Sequence, residues 1–397
     1  MGYRYVTPDQ TVVIGTGALQ SLPVELSSRD IGRVCLVSSP TASQSTAMQM
    51  TRQMLEGFEI VSEYLEVGEH APIVDTERFA AQIHQAPPHA FLAVGGGSPS
   101  DTAKALAILL AEGPPLEDRC STFCPPDQFR HVDLPAPKIP VIVVATTLSG
   151  AEITPGGGAT SPQGIKRVFW DPKVAARVIL FDTAALSAVP KTILLSTGMN
   201  GLAHCAEALY SRTRSPISSA LAREGARRLA TGLLGLQIEE RPSEQVWEDL
   251  EIGAAIGGMV ISNARVGVHH AMCHVLGAAY GLPHGVANSV MLPYALAFNY
   301  PVTQKEQEDF ADAIRPALQG YGLPSDGSPA QVTASLQSAV GVPTTLEAAG
   351  LRKEDLDGVA RDVMQDRGLY FNPRRVADTE EVLAILESAW TGTLVEN

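Results

Sequence analysis

Short, unbroken apolar runs separated by helix-length stretches fill the first half of this 397-residue chain, and they constrain its fold more than any other feature. Val34-Cys35-Leu36-Val37 is one; others span residues 90–94, 140–145 and 177–181, and Val12-Val13-Ile14-Gly15 adds an early one that ends in a glycine turn. A strand without polar alternation is buried on both faces, as in a parallel sheet covered by helices. Residues 46–57 read as one covering helix. Residues 112–138, rich in proline and polar side chains, read as a surface excursion. Past residue 185 the strand signal fades. Residues 196–213, 215–236, 246–264, 267–280, 304–320 and 379–391 read as helices with long apolar faces. Gly253, Gly257 and Gly258 inside one of them predict close helix packing, since glycine otherwise weakens a helix. The expected fold class is α/β followed by all-α, with a parallel-sheet domain over residues 1–184 and an all-helical domain over 185–397. Two domains also suit a chain longer than the ~250–300 residues that one core supports.

Composition excludes several classes. A net charge of −14 repels phosphate backbones, so no nucleic-acid partner is expected. No apolar run reaches the ~18 residues of a membrane span. The start, Met-Gly-Tyr-Arg-Tyr-Val, has neither the apolar core of a secretory signal nor the hydroxyl residue of a myristoylation site. Five irregularly spaced cysteines do not make a disulfide framework, which predicts a reducing cytoplasm. Cys120 and Cys124 lie in the excursion with no partner pair and are assigned no metal role.

Residues 90–94 run directly into Gly95-Gly96-Gly97-Ser98-Pro99-Ser100-Asp101 and a helix over 102–110. Ser98 is expected to cap that helix, with Pro99 in its first position and Asp101 completing the capping box. Three glycines let backbone approach a ligand closely, and free N–H groups with the helix dipole favour phosphate. The spacing is not G-x-G-x-x-G, so a standard dinucleotide fold is not implied. A polar turn, Thr146-Thr147-Leu148-Ser149-Gly150-Ala151-Glu152-Ile153-Thr154, follows the next strand. Strand carboxyl ends gather along one crevice, so Ser39, the glycine loop and these threonines belong to one edge.

Five of the nine histidines fall between residues 204 and 284. Asn200 and His204 are one helical turn apart, as are His270 and His274, and His284 follows Gly281-Leu282-Pro283. His269 is expected to point elsewhere. Such spacing suits a divalent metal, although Asn is a poor ligand where a carboxylate is wanted. Buried, hydrogen-bonded histidines, or a set that orients substrate and relays a proton, are the other readings. Cys205, Cys273, Glu152 and Glu207 adjoin these motifs. Glu152 is expected to order its own loop.

Taken together, Gly95–Lys104, the Thr146-Thr147 turn, residues 199–207, His270-Ala271-Met272-Cys273-His274 and Leu282-Pro283-His284-Gly285 resemble the iron-containing alcohol dehydrogenase superfamily, which shares its fold with glycerol dehydrogenase and dehydroquinate synthase. The likeness is greatest to maleylacetate reductases. Four residues separate Thr147 from Glu152, as in those reductases, and Asn200 stands where metal-dependent members carry an Asp ligand. The resemblance implies a Rossmann-like N-terminal domain, a helical catalytic domain, a homodimer, and NADPH or NADH with its pyrophosphate on Gly95–Ser98. It implies cofactor contacts at Ser39, Gly95, Gly96, Gly97, Ser98, Asp101, Thr146, Thr147, Ser149, Thr154 and Lys166. It implies catalytic roles for His270 and His274, and a ligand geometry of Asn200, His204, His270 and His284 for iron or zinc. Hydride would pass to an enone or oxo-acid small-molecule substrate. A metal-dependent alcohol dehydrogenase and a lyase of the dehydroquinate synthase type are the alternatives. Ala271 replaces a common Lys and Gly285-Val286 a common Ala-Glu, which implies a less charged enone, ketone or aldehyde.

Overall fold

The computed structural model describes residues 3–125 and 128–395. The chain forms two compact units. One comprises Thr7–Thr122 and Arg130–Pro190; the other comprises Lys191–Asn397 with Met1–Val6 and Phe123–Phe129.

The first unit is built on a six-stranded sheet in the order Thr11–Ile14, Val178–Phe181, Val141–Ala145, Ala90–Gly95, Arg33–Ser38 and Glu59–Tyr64. Every neighbouring pair is parallel. The apolar runs are the interior strands, as expected. Val34, Leu36, Leu92, Val94, Ile142 and Leu180 are buried with Leu22, Leu26 and Met48 in one core. Each such side chain contributes about 1.5–3 kcal/mol by burial, which fixes the sheet's register. Ser38 lies opposite Val94 and Gly95 opposite Ala145, so the strand ends line up at one edge.

Two features of this unit have no clear sequence signal. Glu59–Tyr64 is an edge strand with no fully buried residue and two exposed glutamates, so it lacks the apolar run of its neighbours. Gly156–Thr160 pairs antiparallel with Lys166–Trp170. Its glycines are required by packing. A Cβ at Gly156 would lie 2.5 Å from the Trp170 ring, and one at Gly157 would lie 2.6 Å from Phe169.

The second unit is mainly helical. Helices Lys191–Tyr210, Pro216–Ile238 and Glu244–Ala264 pack closely through small residues. A Cβ at Gly253 would meet Leu229 at 2.7 Å, and one at Gly257 would meet the Gly201 carbonyl at 3.0 Å. Helix Val268–Ala278 and the long helix His284–Gly320 follow, the latter broken at Thr303 just after Pro301. Met272, Leu276, Met291, Leu356 and Leu386 share a core there. The excursion contributes Phe129, which stacks on Tyr370 at 5.7 Å. Among the described residues no helix is long and apolar enough to cross a membrane.

Candidate active site

Two groups of residues carry the chemistry, one in each unit. In the α/β unit the chain leaves the strand Ala90–Gly95 and enters a 16-residue helix, Gly97–Glu112. The helix starts earlier than its sequence suggests. Gly96 is the N-cap, with no side-chain cap, and Ser98 lies inside the first turn. The expected capping box does not form, because both of its side chains are engaged elsewhere. Ser98 Oγ accepts the His70 N–H at 3.1 Å. Asp101 Oδ2 accepts the Gly158 N–H at 2.9 Å and so ties the helix to the glycine hairpin. The first-turn N–H groups therefore lack a side-chain cap and face the strand edge, where helix dipole and donors favour an anion. Gly95 has φ +147°, a conformation that favours glycine. A Cβ at Gly96 would lie 2.7 Å from Thr147 Cγ2, so the two loops touch through this glycine. A Cβ at Gly97 would meet only Ala151, at 3.7 Å.

The neighbouring turns gather at the same edge. The Thr146 N–H donates to the Gly95 carbonyl at 3.0 Å. Thr147 and Ser149 hydroxyls are 3.3 Å apart. Ser39 is half-buried and accepts the Ala42 N–H at 3.3 Å, while Ala42 lies against Gly95. Thr154 spends its hydroxyl on the carbonyls of Ala151 and Gly156. Lys166 sits on the hairpin, its Cε against Gly158.

Lys104, one helical turn after Ser100, is fully buried. Its ammonium donates to the carbonyls of Ala151, Thr154 and Gly156 at 2.7, 2.9 and 3.0 Å. It thereby fastens the Thr146–Thr154 turn to the helix; nothing in the sequence-level reading assigned it this part. Burial pushes Glu152 up to about 7, against its own backbone N–H and Lys104. Its Oε1 is buried with no hydrogen-bond partner among the described residues.

In the helical unit the hub is Glu207, which the sequence placed beside the motifs without a role. Its carboxylate is fully buried and accepts the Gly267 N–H at 2.7 Å and the His270 Nδ1–H. His269 also turns inward, contrary to expectation. Its Nδ1 lies 3.1 Å from His270 Nδ1 and 3.5 Å from Glu207, while its Nε2–H donates to the Asn288 carbonyl at 2.9 Å. Burial pushes Glu207 upward, but His270 and the hydrogen bonds from both histidines outweigh it and hold the carboxyl well below its ordinary range. Burial pulls His270 down to about 4 in spite of Glu207, so its imidazole is neutral. Its Nδ1 meets Glu207, and its Nε2 lies 3.1 Å from Asn200 Oδ1.

The other imidazoles surround this line. The His204 ring stacks on His270 at 4.8 Å, and its Nδ1 is buried without a hydrogen-bond partner. His284 lies 5.9 Å from His270 and 6.0 Å from His274 by ring centroid. Gly285 permits this, since a Cβ there would lie 2.8 Å from the Ser196 backbone. His274 Nδ1 meets Asp366 Oδ2 at 2.9 Å. Asp366, 92 positions away, is a residue the sequence did not flag. Burial pulls the Cys205 thiol's pKa up, away from reactivity. Cys273 lies 3.8 Å from His269.

Among the described residues, the donor atoms that lie within metal-sharing distance are those of Glu207, His269 and His270. Those three already satisfy one another, and the second Glu207 oxygen holds Gly267. Asn200 brings no negative charge to the remaining imidazoles. This donor set does not make a tight divalent cage.

Comparison with known proteins gives this geometry its context. The profile described as "Iron-containing alcohol dehydrogenase" matches residues 9–183, and "Fe-containing alcohol dehydrogenase family, C-terminal" matches residues 194–390. Maleylacetate reductase 1 of Rhodococcus opacus is 29% identical over 381 residues, 96% of this chain and 94% of that protein. Lactaldehyde reductase of Escherichia coli K12 is 26% identical, covering 96% and 98%. The crystal structure of maleylacetate reductase from Rhizobium sp. strain MTP-10005 superposes with a TM-score of 0.79 at 26% identity, over 99% of each chain. The chain belongs to the iron-containing alcohol dehydrogenase superfamily, is similar to its maleylacetate reductases, and is an NAD(P)H-dependent oxidoreductase.

Proposed function

We propose that this chain is a reductase of the maleylacetate type that works without a tightly bound metal and delivers hydride to an enone or oxo-acid substrate. The observation that carries the reading is the closed line Glu207–His270–Asn200. The His270 Nε2 that a metal would take lies 3.1 Å from Asn200 Oδ1, the oxygen of a neutral amide where a carboxylate would be a ligand. Substituting Asp there would create a charge partner for a cation.

The glycine cradle fits a dinucleotide. Gly95, Gly96 and Gly97 present backbone N–H groups and a helix N-terminus to the pyrophosphate, and Ser39, Ser98, Thr146, Thr147 and Ser149 frame the same edge. Asp101, Lys104 and Thr154 hold that frame, with Lys166 on the adjoining hairpin. When bound, the reduced nicotinamide supplies the hydride. His274 carries the balancing proton, and Asp366 stabilises its imidazolium form through Nδ1, leaving Nε2–H to donate. His270 is fixed between Glu207 and Asn200, and His204, stacked on it, is left to orient the carbonyl. Hydride and proton together saturate one double bond, and the nicotinamide is oxidised. The reading extends to a homodimer, as the family likeness suggests, in a reducing cytoplasm, which the odd number and irregular spacing of the cysteines support. The metal-dependent alternative draws on His204 Nδ1, buried without a hydrogen-bond partner among the described residues, and on the clustered donor atoms of Glu207, His269 and His270.

The test is a screen for oxidation of NADPH and NADH against oxo acids, enones and aldehydes. The Arg33–Ser38 strand ends in Ser39-Pro40-Thr41, with no carboxylate there to repel a 2′-phosphate. NADPH is therefore expected to be used. A preference for NADH of more than about 100-fold, ~2.7 kcal/mol, would contradict this.

A further inference from the structure

In the helical unit the long helix His284–Gly320 packs against the helix Thr379–Thr391, and a cavity of about 250 Å³ lies between them. Its apolar walls are Ala297 and Phe298 from the first helix and Ala384 and Ile385 from the second. Phe298 and Ile385 are buried, so the walls are parts of the folded core and not of a loop. The cavity stands apart from the histidines. Tyr294, which also lines it, comes ten residues after His284 on the same helix, about 15 Å along the axis.

Four polar side chains border the cavity, and three of them are already matched. The Arg374 guanidinium lies 4.1 Å from the Phe298 ring centroid, donates to the Phe298 carbonyl at 2.8 Å and pairs with Glu381 at 3.2 Å. Glu381 also accepts the Ala377 N–H at 2.7 Å. Ser388 donates its hydroxyl to the Ala384 carbonyl at 2.8 Å. Tyr294 is the fourth. It is only 7% exposed, yet its hydroxyl has no hydrogen-bond partner among the described residues. Buried polar groups are almost always paired, so a hydroxyl left open on a cavity wall calls for a partner from outside the chain. With Arg374 matched by Glu381, the cavity has no net charge to offer an ion.

Size narrows the ligand further. An apolar cavity of about 150 Å³ holds benzene. A cavity of about 250 Å³ therefore takes one ring with short substituents.

We propose that this cavity is a second small-molecule site, which binds an uncharged single-ring alcohol or phenol with its hydroxyl on Tyr294 and its ring among Ala297, Phe298, Ala384 and Ile385. The site requires neither cofactor nor hydride transfer, so it stands or falls independently of the reductase reading.

The test is a fluorine NMR titration of the full chain with 4-fluorophenol, with 4-fluorotoluene, which replaces the hydroxyl by a methyl group, and with 4-fluorobenzoate. Wild type should bind the phenol about fivefold more tightly than the toluene, the ~1 kcal/mol of one hydrogen bond. The benzoate should bind at least about tenfold more weakly than the phenol. Tyr294→Phe should remove the preference for the phenol and leave the toluene unchanged. Ala384→Trp, at an exposed position on the wall, should weaken both at least about tenfold while circular dichroism shows the fold retained. No binding in wild type, tighter binding of the benzoate, a preference for the phenol that Tyr294→Phe leaves intact, or binding that a folded Ala384→Trp does not weaken would overturn the proposal. Should Tyr294→Phe fail to fold, the phenol-over-toluene ratio in wild type and the Ala384→Trp titration still decide it.

Discussion

Gly96→Val is expected to raise the dissociation constant for NADPH at least about 100-fold, ~2.7 kcal/mol. The cause is specific. A Cβ at residue 96 would lie 2.7 Å from Thr147 Cγ2 and 3.1 Å from its hydroxyl, and valine adds a branch. Either Thr147 is displaced or the loop shifts. Both change the edge at which the first-turn N–H groups of Gly97–Glu112 meet the pyrophosphate. Overpacking of this kind costs roughly 1–3 kcal/mol in stability, a small part of what the α/β unit's core supplies, so the variant should still fold. Fluorescence titration of the cofactor, with circular dichroism to confirm folding, measures both. Unchanged affinity in a folded variant would remove the glycine cradle from the account.

Glu207→Ala is expected to destabilise the helical unit by about 3–5 kcal/mol, the usual consequence of removing one partner from a buried charged network. The Gly267 N–H would lose its acceptor at the start of helix Val268–Ala278, and His270 Nδ1 would lose the group that sets its tautomer. For a unit of this size the thermal midpoint should fall on the order of 10 °C. Glu207→Gln keeps an acceptor for Gly267 and should fall less. Scanning calorimetry distinguishes them; a drop under about 2 °C for Glu207→Ala would mean the network contributes little.

Much of the fold was legible because burial writes itself into composition. Interior strands such as Ala90–Gly95 are apolar at nearly every position, and the helices after residue 190 carry long apolar stretches, that of Lys191–Tyr210 buried from Gly198 to Tyr210. Glu59–Tyr64 escaped because an edge strand needs only one covered face, and Gly156–Thr160 escaped because its glycines answer to Trp170 and Phe169, which lie across the hairpin. At the site, Asn200, His204, His270 and His284 could be grouped by helical spacing and resemblance. Asp366 could not, since its partner is 92 residues away, and Glu207 stood beside the motifs without any local sign of its tie to His270, 63 residues on. The Ser98 cap failed for a related reason. Local sequence proposed a box with Asp101, and a tertiary contact with Gly158 claimed the carboxylate instead.

The central claim is that the Glu207–His270–Asn200 line replaces a metal. Elemental analysis of purified protein, paired with NADPH-dependent turnover before and after chelation, tests it most directly. The account predicts substoichiometric iron and zinc and turnover that a chelator leaves within about twofold; Asn200→Asp should then gain metal affinity by restoring a charge at contact distance. One equivalent of iron or zinc per chain, with activity lost to the chelator and restored by that metal, would contradict it.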